Sequence, residues 1–344
     1  MLFRSVAYLY LTESDLKLGC TDGQVVIKRL GGEKIREVPF HAVDGIAVYG
    51  MAQLSTQLIR KCIAECVPIT YYSLDGHYFG GISSQESINP IRQKRQIYLT
   101  DDPSFCLQWT KQIVSAKIKN SITLLMSLPE IHTFEEQELH GLLHSLENLE
   151  AADSVDMVLG FEGNAARTYF ACLPKLLKND EFAFEGRSTR PPRDPVNSML
   201  SYGYSLFYRN IIGAIERHGL HPYFAYMHKI KLGHAALSSD LIEEYRAPLV
   251  DKTVIDFVND GEVEIGDFNR SDAGALYMNR ETSKRLTARF SDIIAKNQQY
   301  FLDSGSQKSF GFQAMLDMKI EQLIKAIDRG DAGLYVPYVW KASS

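Results

Sequence analysis

The side chains best suited to chemistry are a glutamate, a histidine and a group of acidic residues, delivered by three separate segments. Glu162 lies in LGFEGNAARTYF, His228 in HPYFAYMHKIKLG, and Asp240, Glu243 and Glu244 in DLIEEYR. An imidazole and two carboxylates form a mixed ligand set for a hard divalent cation, Mg²⁺ or Mn²⁺, and Mn²⁺ tolerates the nitrogen ligand better. Because such a cation can act as a Lewis acid on a phosphoryl oxygen, these residues indicate metal-assisted phosphodiester chemistry.

Two of these residues also have ordinary structural explanations. Glu162 lies mid-helix among apolar neighbours, and a buried carboxylate has to be paired, protonated or bound to a cation. The structural alternative is a glutamate at the rim of the helix that pairs with Arg167. His228 lies among aromatic residues and a methionine, where a lone histidine is more often a core residue than a ligand. Taken alone, His228 is therefore assigned to the core.

The acidic residues of DLIEEYR strengthen the site hypothesis, because their spacing places carboxylates on one helical face. Asp240 precedes Glu243 by three residues and Glu244 by four. A displacement of the helix by one residue would exchange Glu243 and Glu244 as the inward group, so the pattern alone leaves this choice open. Arg246 is expected to form either an ordinary exposed ion pair one turn back or a contact that supports the site. Asp251 is expected to be a helix cap or a surface charge.

The composition is that of a globular protein with room for two domains. The chain has 344 residues, of which 45% are hydrophobic, enough to bury two cores. Its five cysteines are odd in number and scattered, which favours reduced thiols over a disulfide framework. The N-terminal segment alternates like a strand, and no apolar run approaches the roughly 18 to 20 residues that a membrane helix needs. We therefore expect a soluble, cytoplasmic protein with no membrane partner.

The charge of the chain neither indicates nor excludes nucleic acid binding. A net charge of -5 argues mildly against it if charge is averaged over the surface, but phosphate contacts depend on where lysine and arginine lie. Basic clusters occur at several places, although a solvated helix face is the ordinary explanation for each. They are Arg92, Lys94 and Arg95; Arg187, Arg190 and Arg193; Lys229 and Lys231; and Arg280, Lys284, Arg285 and Arg289.

Hydrophobic periodicity divides the chain into a strand-rich part and a helical part. The predicted fold class is α+β, with a small β-rich N-terminal domain (residues 1–88) followed by a larger all-α C-terminal domain (residues 89–344). Residues 89–100 are the predicted connection. Strands are predicted at 5–12, 15–19, 24–30, 34–39 and 68–72, a turn at 74–77, and helices at 55–66, 104–127, 134–150, 154–173, 195–218, 239–258, 279–300 and 309–329.

Three blocks of sequence resemble one protein family. The blocks EGNAARTYF, RPPRDPVNSMLSYGYSLFY and the run from HPYF to DLIEEYR are similar to the C-terminal signature blocks of the CRISPR-associated spacer-acquisition integrases, the "Cas one" family. They occur in the family's order and at its spacing, and a strand-rich region before a helical region also fits. The resemblance therefore covers most of the chain, and it implies a protein of the prokaryotic cytoplasm.

The resemblance assigns roles to residues by their position in these blocks. It implies that Glu162, His228 and Glu243 are the metal ligands. Asp240 matches the adjacent acidic position, as an auxiliary ligand or as a partner of a ligand. Tyr208 matches the family tyrosine close to the DNA 3′ end, although an aromatic residue in an apolar helix is as often part of the core. These five residues make up the predicted catalytic set.

The expected DNA contacts are weaker assignments. Lys231 follows the histidine closely and is a reasonable phosphate contact. Arg190 and Arg193, together with Arg187, are further candidates in a loop. Asn197 is expected either to cap or brace its helix or to reach the active site.

The sequence departs from the family pattern near the histidine. Ala225 and Met227 stand where a glycine and a leucine are usual, and His234 stands where the family often has an arginine after Gly233. The change at His234 is expected to weaken one phosphate contact. It leaves the three expected metal ligands intact.

The resemblance implies a metal-dependent DNA integrase of CRISPR adaptation that is also an endonuclease. The 3′ hydroxyl of spacer DNA would attack a phosphodiester at the border of the repeat in a direct transesterification, and with water as nucleophile the same site would cut DNA. The expected partners are double-stranded DNA, a second copy of the chain in a homodimer, and the small "Cas two" protein. Two alternatives remain open: a non-catalytic DNA-binding scaffold of the adaptation complex, and a metal hydrolase of small phosphoesters.

Overall fold

The computed structural model of the chain describes residues 7–11, 13–72, 78–82, 84, 88–188, 191–272, 274–295, 298–301, 307–310 and 312–341. The strands are β1 (Ala7–Leu11), β2 (Leu16–Thr21), β3 (Gln24–Arg29), β4 (Lys34–Pro39), β5 (Val43–Tyr49), β6 (Gln53–Leu54), β7 (Ile69–Tyr72), β8 (Tyr78–Ile82), β9 (Phe268–Arg270), β10 (Leu276–Met278), β11 (Gln298–Phe301) and β12 (Gln307–Phe310). The helices are α1 (Thr56–Ala64), α2 (Pro90–Leu99), α3 (Pro103–Met126), α4 (Glu136–Asn148), α5 (Val155–Cys172), α6 (Pro195–Arg217), α7 (Ala236–Ile242), α8 (Lys252–Asn259), α9 (Arg280–Ala295) and α10 (Phe312–Arg329).

Two four-stranded sheets make up the strand-rich part. The first has the order β1-β5-β7-β8, with β1, β5 and β7 parallel and β8 antiparallel to β7. The second has the order β4-β3-β2-β6, in which β2, β3 and β4 form an antiparallel meander and β6 is parallel to β2. Leu18 from the second sheet, Ile46 and Ile69 from the first, and Leu58 from α1 are fully buried in one shared core.

The strand β5 joins this core to the helical part of the protein. The hydrophobic pattern of the sequence did not predict this strand. Ile46 and Val48 on one face of β5 belong to the core between the sheets, while Ala47 and Tyr49 on the other face belong to the core of the helices. A strand that is covered on both faces has a nearly continuous hydrophobic sequence, without the alternation that marks a half-exposed strand. The sheet is therefore attached to the helices through its own central strand.

The long helices α3 and α6 begin at strong capping signals. Asp102 Oδ1 accepts hydrogen bonds from the backbone N–H groups of Ser104 and Phe105, at 2.9 and 3.1 Å. Asp194 Oδ1 accepts one from Asn197 N at 2.7 Å. A proline occupies the first turn of each helix, where its missing N–H removes no helical hydrogen bond. These signals fix where the two helices start, close to the predicted positions.

The helix predicted at 239–258 is interrupted. It consists of α7, a turn, a π-helical segment at Arg246–Asp251, and α8. Pro248 explains part of this break, because a proline has no N–H to donate to the carbonyl of Glu244, four residues earlier. That carbonyl oxygen instead accepts a hydrogen bond from Asn120 Nδ2 of α3 at 2.7 Å. The acidic residues therefore lie at an irregular helix end and not along a regular helix.

The predicted α+β class, with a strand-rich N-terminal region and a mainly helical C-terminal region, is confirmed. Three details differ. Residues 90–99 of the predicted connection form α2, and the helix predicted to reach residue 300 ends at Ala295, before β11. The part predicted as all-α also contains two short strand pairs, β9 with β10 and β11 with β12. The division into domains after residue 88 stays a prediction. The predicted turn at 74–77 lies outside the described residues. Among the helices that the structure describes, none combines the length and the apolar character that a membrane span needs.

The close contact between α4 and α5, the helix that carries Glu162, gives a stability prediction. A Cβ atom added at Gly141 of α4 would overlap Thr168 Oγ1 of α5 and lie 3.1 Å from Thr168 Cβ. We expect Gly141→Ala to lower the free energy of unfolding by about 1 to 3 kcal/mol, because the two helices have to move apart. Denaturant unfolding measures this value.

The matched control is Gly160→Ala in α5, where nothing lies within 4 Å of the added Cβ. That change should stabilise the protein by up to about 1 kcal/mol through helix propensity. Equal stability of the two variants would show that α4 and α5 are not held at this distance.

Candidate active site

Three elements bring the predicted ligands to one place. Glu162 lies on α5, Glu243 directly follows α7, and His228 lies in the loop that precedes α7. His228 Nε2 is 3.9 Å from Glu243 Oε1. Glu162 Oε1 and Glu243 Oε2 both contact the ammonium group of Lys117, and the second of these distances is 2.7 Å. The two carboxylates and the imidazole therefore surround one small polar region.

Lys117 of α3 lies at the centre of this region, and sequence reasoning missed it. Only 17% of its side-chain surface is exposed. Burial would lower the pKa of Lys117, but Glu243 and then Glu162 outweigh this effect and raise it. A signal was present in the sequence, since Lys117 interrupts a helical face on which Ile113 and Leu124 are buried. A lysine on an apolar stripe needs a buried acidic partner.

His228 is held by the carboxylate of Asp240. Asp240 Oδ1 lies 2.9 Å from His228 Nδ1 and accepts a hydrogen bond from His228 N at 3.0 Å. Its Oδ2 accepts hydrogen bonds from Trp109 Nε1, Tyr226 N and Met227 N, at 3.0, 3.0 and 3.1 Å. Burial lowers the pKa of His228, but the contacts with Asp240 outweigh it, so that the pKa is raised. Asp240 therefore lies behind the imidazole and orients it, leaving Nε2 to face Glu243.

Glu243 and Glu244 point in different directions. Burial would raise the pKa of Glu243, but Arg246 and Lys117 lower it to about 2, and Arg246 Nη2 is 3.1 Å from Glu243 Oε1. The carboxylate of Glu244 accepts hydrogen bonds from the Tyr335 hydroxyl and the Tyr338 backbone, which attach the C-terminal segment. Of the two residues that the sequence left open, Glu243 is the one that faces the site.

A further buried acid, Asp251, lies behind this site, and its expected role as a cap or surface charge is wrong. Asp251 is 1% exposed and accepts hydrogen bonds from the hydroxyls of Tyr169 and Tyr204, at 2.6 and 2.5 Å. It precedes α8, but its side chain makes no capping bond. The guanidinium groups of Arg246 and Arg187 lie over the ring of Tyr204, at 4.8 and 5.2 Å. Arg246 is thus a partly buried cation between the acids Glu243 and Asp251. Of its two expected roles, this agrees with a contact that supports the site and not with an ordinary exposed ion pair.

Asn197 braces the loop before α6. It is fully buried, accepts hydrogen bonds from Arg187 Nη1 and Ser188 N at 2.6 and 2.9 Å, and donates to Gly186 O and Asp194 Oδ2 at 2.8 and 2.6 Å. This agrees with the first of its two expected roles, a cap or brace. Its amide has no contact with Glu162, His228 or Glu243.

The other predicted residues are Tyr208, Lys231, Arg193 and Arg190. Tyr208 donates a hydrogen bond to Ala235 O at 3.1 Å, beside the loop that carries His228. Lys231 and Arg193 are exposed, as phosphate contacts must be. Arg190 lies outside the described residues.

Comparison with known proteins identifies the family. The family described as "CRISPR associated protein Cas1" matches residues 9–292. The chain belongs to this family. The CRISPR-associated endonuclease Cas1 of Mycobacterium tuberculosis (strain CDC 1551 / Oshkosh) is 38% identical over 328 residues, 94% of each chain.

Solved structures share the Cas1 fold. A casposase bound to an integration product has a TM-score of 0.80 at 23% identity, with 98% of this chain and 96% of that chain covered. A chain of a Cas6-RT-Cas1–Cas2 complex has a TM-score of 0.77 at 21% identity, with 100% of this chain and 37% of that chain covered. At these identities the likeness concerns the fold alone.

The donor set of this Cas1-family site suits a hard divalent cation, but a lysine stands in its centre. In the part of the chain that the structure describes, no three His, Cys, Asp or Glu side chains are already grouped to hold a metal ion. The ammonium group of Lys117 separates Glu162 from Glu243. Glu162, Glu243 and His228 Nε2 could hold the cation once this ammonium group moves aside, and the contact of Asp240 with Nδ1 is typical of a metal-ligating histidine.

The buried state of Asp251 gives a pH prediction. Burial raises its pKa from 3.8 to about 6, although the two tyrosine hydroxyls and the arginines act in the opposite direction. Between pH 3.8 and about 6, the folded chain holds a proton on Asp251 that the unfolded chain has released. The protonated Asp251 therefore contributes to the free energy of unfolding below pH ~4, and this contribution is lost as the pH rises through ~6. We expect the wild type to lose about 2 kcal/mol relative to Asp251→Asn between pH 4 and 7.

Denaturant unfolding of both proteins across this pH range measures the difference. The control is Asp256→Asn, which removes a partly exposed ion pair with Lys252 and should change stability by no more than ~1 kcal/mol. A constant difference between the wild type and Asp251→Asn at every pH would contradict the prediction.

Proposed function

We propose that this chain is a divalent-metal-dependent DNA integrase and endonuclease of CRISPR adaptation in the prokaryotic cytoplasm. The observation that carries the proposal is that Glu162 and Glu243 contact one cation, the Lys117 ammonium group, while His228 Nε2 lies 3.9 Å from Glu243 Oε1. Two carboxylates and an oriented imidazole are the groups that Mg²⁺ or Mn²⁺ would use. Membership of the Cas1 family, whose curated relatives are named endonucleases, supports the same reaction class.

The reaction would be a direct transfer at phosphorus. The 3′ hydroxyl of the spacer DNA loses its proton as its oxygen forms a new P–O bond. The P–O3′ bond of the target strand breaks, and the leaving 3′ oxygen takes up a proton, so that one phosphodiester replaces another. With water as the attacking group, the same exchange is hydrolysis. A bound cation supplies Lewis-acid stabilisation of the charge that develops on these oxygens. No covalent protein intermediate is needed, which agrees with a site built from carboxylates and an imidazole.

The residues of this chain have separate tasks in that scheme. Asp240 fixes the imidazole of His228, and Arg246 holds the carboxylate of Glu243 ionised and in place. Lys231 would contact a phosphate, and Tyr208 would lie beside the DNA 3′ end.

The partners that we propose are double-stranded DNA, a second copy of the chain and a small Cas2-family protein. Similar folds occur in a casposase bound to an integration product and in a Cas6-RT-Cas1–Cas2 complex, which supports the DNA and Cas2 partners. Of these partners, the homodimer rests on family resemblance.

Strand transfer tests the function. A short duplex with free 3′ hydroxyls is incubated with a supercoiled plasmid that carries the repeat, Mn²⁺ and the Cas2-family partner. We expect product from the wild type, and a loss of at least about 100-fold in Glu162→Ala and His228→Ala, because each removes a ligand. Glu147→Ala is the matched control, since Glu147 is exposed on the neighbouring helix α4.

Three outcomes would overturn the proposal. Equal product from the wild type and His228→Ala would remove the imidazole from the chemistry. Tight DNA binding without product from the wild type would favour the non-catalytic scaffold. Turnover of a small phosphoester without DNA would favour a hydrolase of small substrates.

The position of Lys117 gives a separate metal-binding prediction. Because its ammonium group competes with a divalent cation for the same carboxylates, Lys117→Met should bind Mn²⁺ more tightly than the wild type, on the order of tenfold. Titration of Mn²⁺ followed by electron paramagnetic resonance measures the affinity without any reaction. Lys119→Met is the control, since Lys119 is exposed on the same helix. Unchanged or weaker Mn²⁺ binding by Lys117→Met would show that the cation binds elsewhere.

A further inference from the structure

The loop that carries His228 depends on side chains for its shape. Between α6 and α7 the described chain forms neither a helix nor a strand, so its backbone N–H and C=O groups need other partners. Asp240 accepts hydrogen bonds from the N–H groups of residues 226–228. Most of residues 219–224 are buried or half-buried as well, and buried backbone groups without a partner are costly. The first half of the loop therefore requires anchors of its own.

Two glutamines of α2 provide these anchors. Gln96 is fully buried. Its Nε2 donates hydrogen bonds to His221 O and Phe224 O, at 2.7 and 3.1 Å, and its Oε1 accepts one from His221 N at 2.9 Å. Gln93 Nε2 donates a hydrogen bond to Gly219 O at 3.1 Å. One face of α2 thus holds the backbone of the loop at three positions.

The helix α2 is itself fixed to α10. Arg92 Nε and Nη2 donate to the two carboxylate oxygens of Asp328, at 3.2 and 3.1 Å, in the paired arrangement that makes an arginine–carboxylate contact strong. Arg95 Nη1 donates to the backbone carbonyl of the same residue. These contacts make α2 a fixed support, so that the glutamines determine where the loop begins.

The segment between these anchors and the imidazole is short and tightly packed. Only three residues separate Phe224 from His228, and all three are buried. The ring of Tyr226 packs edge-on against Phe105 and Trp109, at 4.7 and 5.4 Å between ring centres. A closely packed segment transmits a displacement at one end to the other. Because a metal ligand has to be placed to within about 0.5 Å, a small shift at Phe224 would take the imidazole out of position.

We propose that Gln96 is a positioning residue for His228. It fixes the start of the loop, so that the imidazole Nε2 is delivered to the divalent cation beside Glu243. Gln93 supports the same segment with one further hydrogen bond. The inference rests on the proposed function for the presence of a cation and for His228 as its ligand. It adds a residue that touches neither, on the helix that follows the strand-rich region.

Electron spin-echo spectroscopy of bound Mn²⁺ tests this role, because a directly coordinated imidazole nitrogen modulates the echo. The protein is loaded with Mn²⁺ in the absence of DNA. We expect nitrogen modulation in the wild type and none in His228→Ala. Gln96→Leu should lose most of the modulation, since it removes all three hydrogen bonds of the amide while a leucine still fills the buried space.

Asn259→Leu is the matched control. The amide of Asn259 also joins a helix to the backbone of a loop, since Nδ2 donates to Leu176 O and Oδ1 accepts from Lys178 N, both at 2.8 Å. This loop does not carry His228, so the nitrogen modulation should equal that of the wild type. Denaturant unfolding checks that each variant is folded.

Gln93→Leu keeps the inference testable if Gln96→Leu does not fold. It removes a single hydrogen bond at a half-buried position. We expect it to fold and to lose a smaller part of the nitrogen modulation than Gln96→Leu. Modulation equal to that of the wild type in Gln93→Leu would count against α2 as the support of the loop.

The Mn²⁺ dependence of strand transfer provides the second arm. We expect the Mn²⁺ concentration that gives half-maximal product to rise on the order of tenfold in Gln96→Leu, as for other residues that support a metal ligand. Higher Mn²⁺ should then restore most of the product. A glutamine that served only the fold would lower the product at every Mn²⁺ concentration.

The outcomes separate this inference from the proposed function. Equal nitrogen modulation and equal Mn²⁺ dependence in the wild type and Gln96→Leu overturn the positioning role and leave the proposed function intact. An equal loss in Asn259→Leu also overturns it, because general destabilisation would then explain the effect. Mn²⁺ bound by the wild type without nitrogen modulation, or with modulation that survives in His228→Ala, overturns the proposed metal site and this inference with it.

Discussion

The carboxylate of Asp240 determines the geometry of the site. It accepts a hydrogen bond from the indole of Trp109 on α3, three from successive backbone N–H groups at residues 226–228, and contacts the His228 imidazole. A fully buried carboxylate is tolerated only when its lone pairs are satisfied in this way. A single side chain from α7 thus joins a distant helix to an irregular loop. Without it, neither the orientation of the histidine nor the path of the loop is defined.

The charges behind the histidine alternate in sign. Glu162, Lys117, Glu243 and Arg246 follow one another in contact, and Asp251 completes the series beyond Arg246 through Tyr204. Removing charges from water is costly unless each has a partner of opposite sign. The alternation of charge allows several acids to stay ionised in a largely buried region. Lys117 and Arg246 therefore already neutralise part of the negative charge of these acids.

The sequence predicted the local elements better than the way in which they meet. The helix caps at Asp102 and Asp194 are local signals, and the predicted starts of α3 and α6 lie close to the observed ones. The choice between Glu243 and Glu244 depends on the break near Pro248, which in turn depends on a contact with a helix more than 100 residues away. No periodicity contains that information. The strand β5 was missed for a related reason, since burial on both faces is a property of the assembled molecule.

The π-helical segment Arg246–Asp251 fixes the number of residues between two functional side chains. A π-helical turn holds one residue more than the corresponding α-helical turn, and here it sets the angular relation between Glu243, which faces the site, and Asp251, which faces the tyrosines. Loss or gain of a single codon in this segment would rotate everything after it by about 100° around the helix axis. Changes in the length of this segment are therefore expected to be tolerated poorly. In this family, gaps in an alignment should be rarer across this segment than across the surface loops.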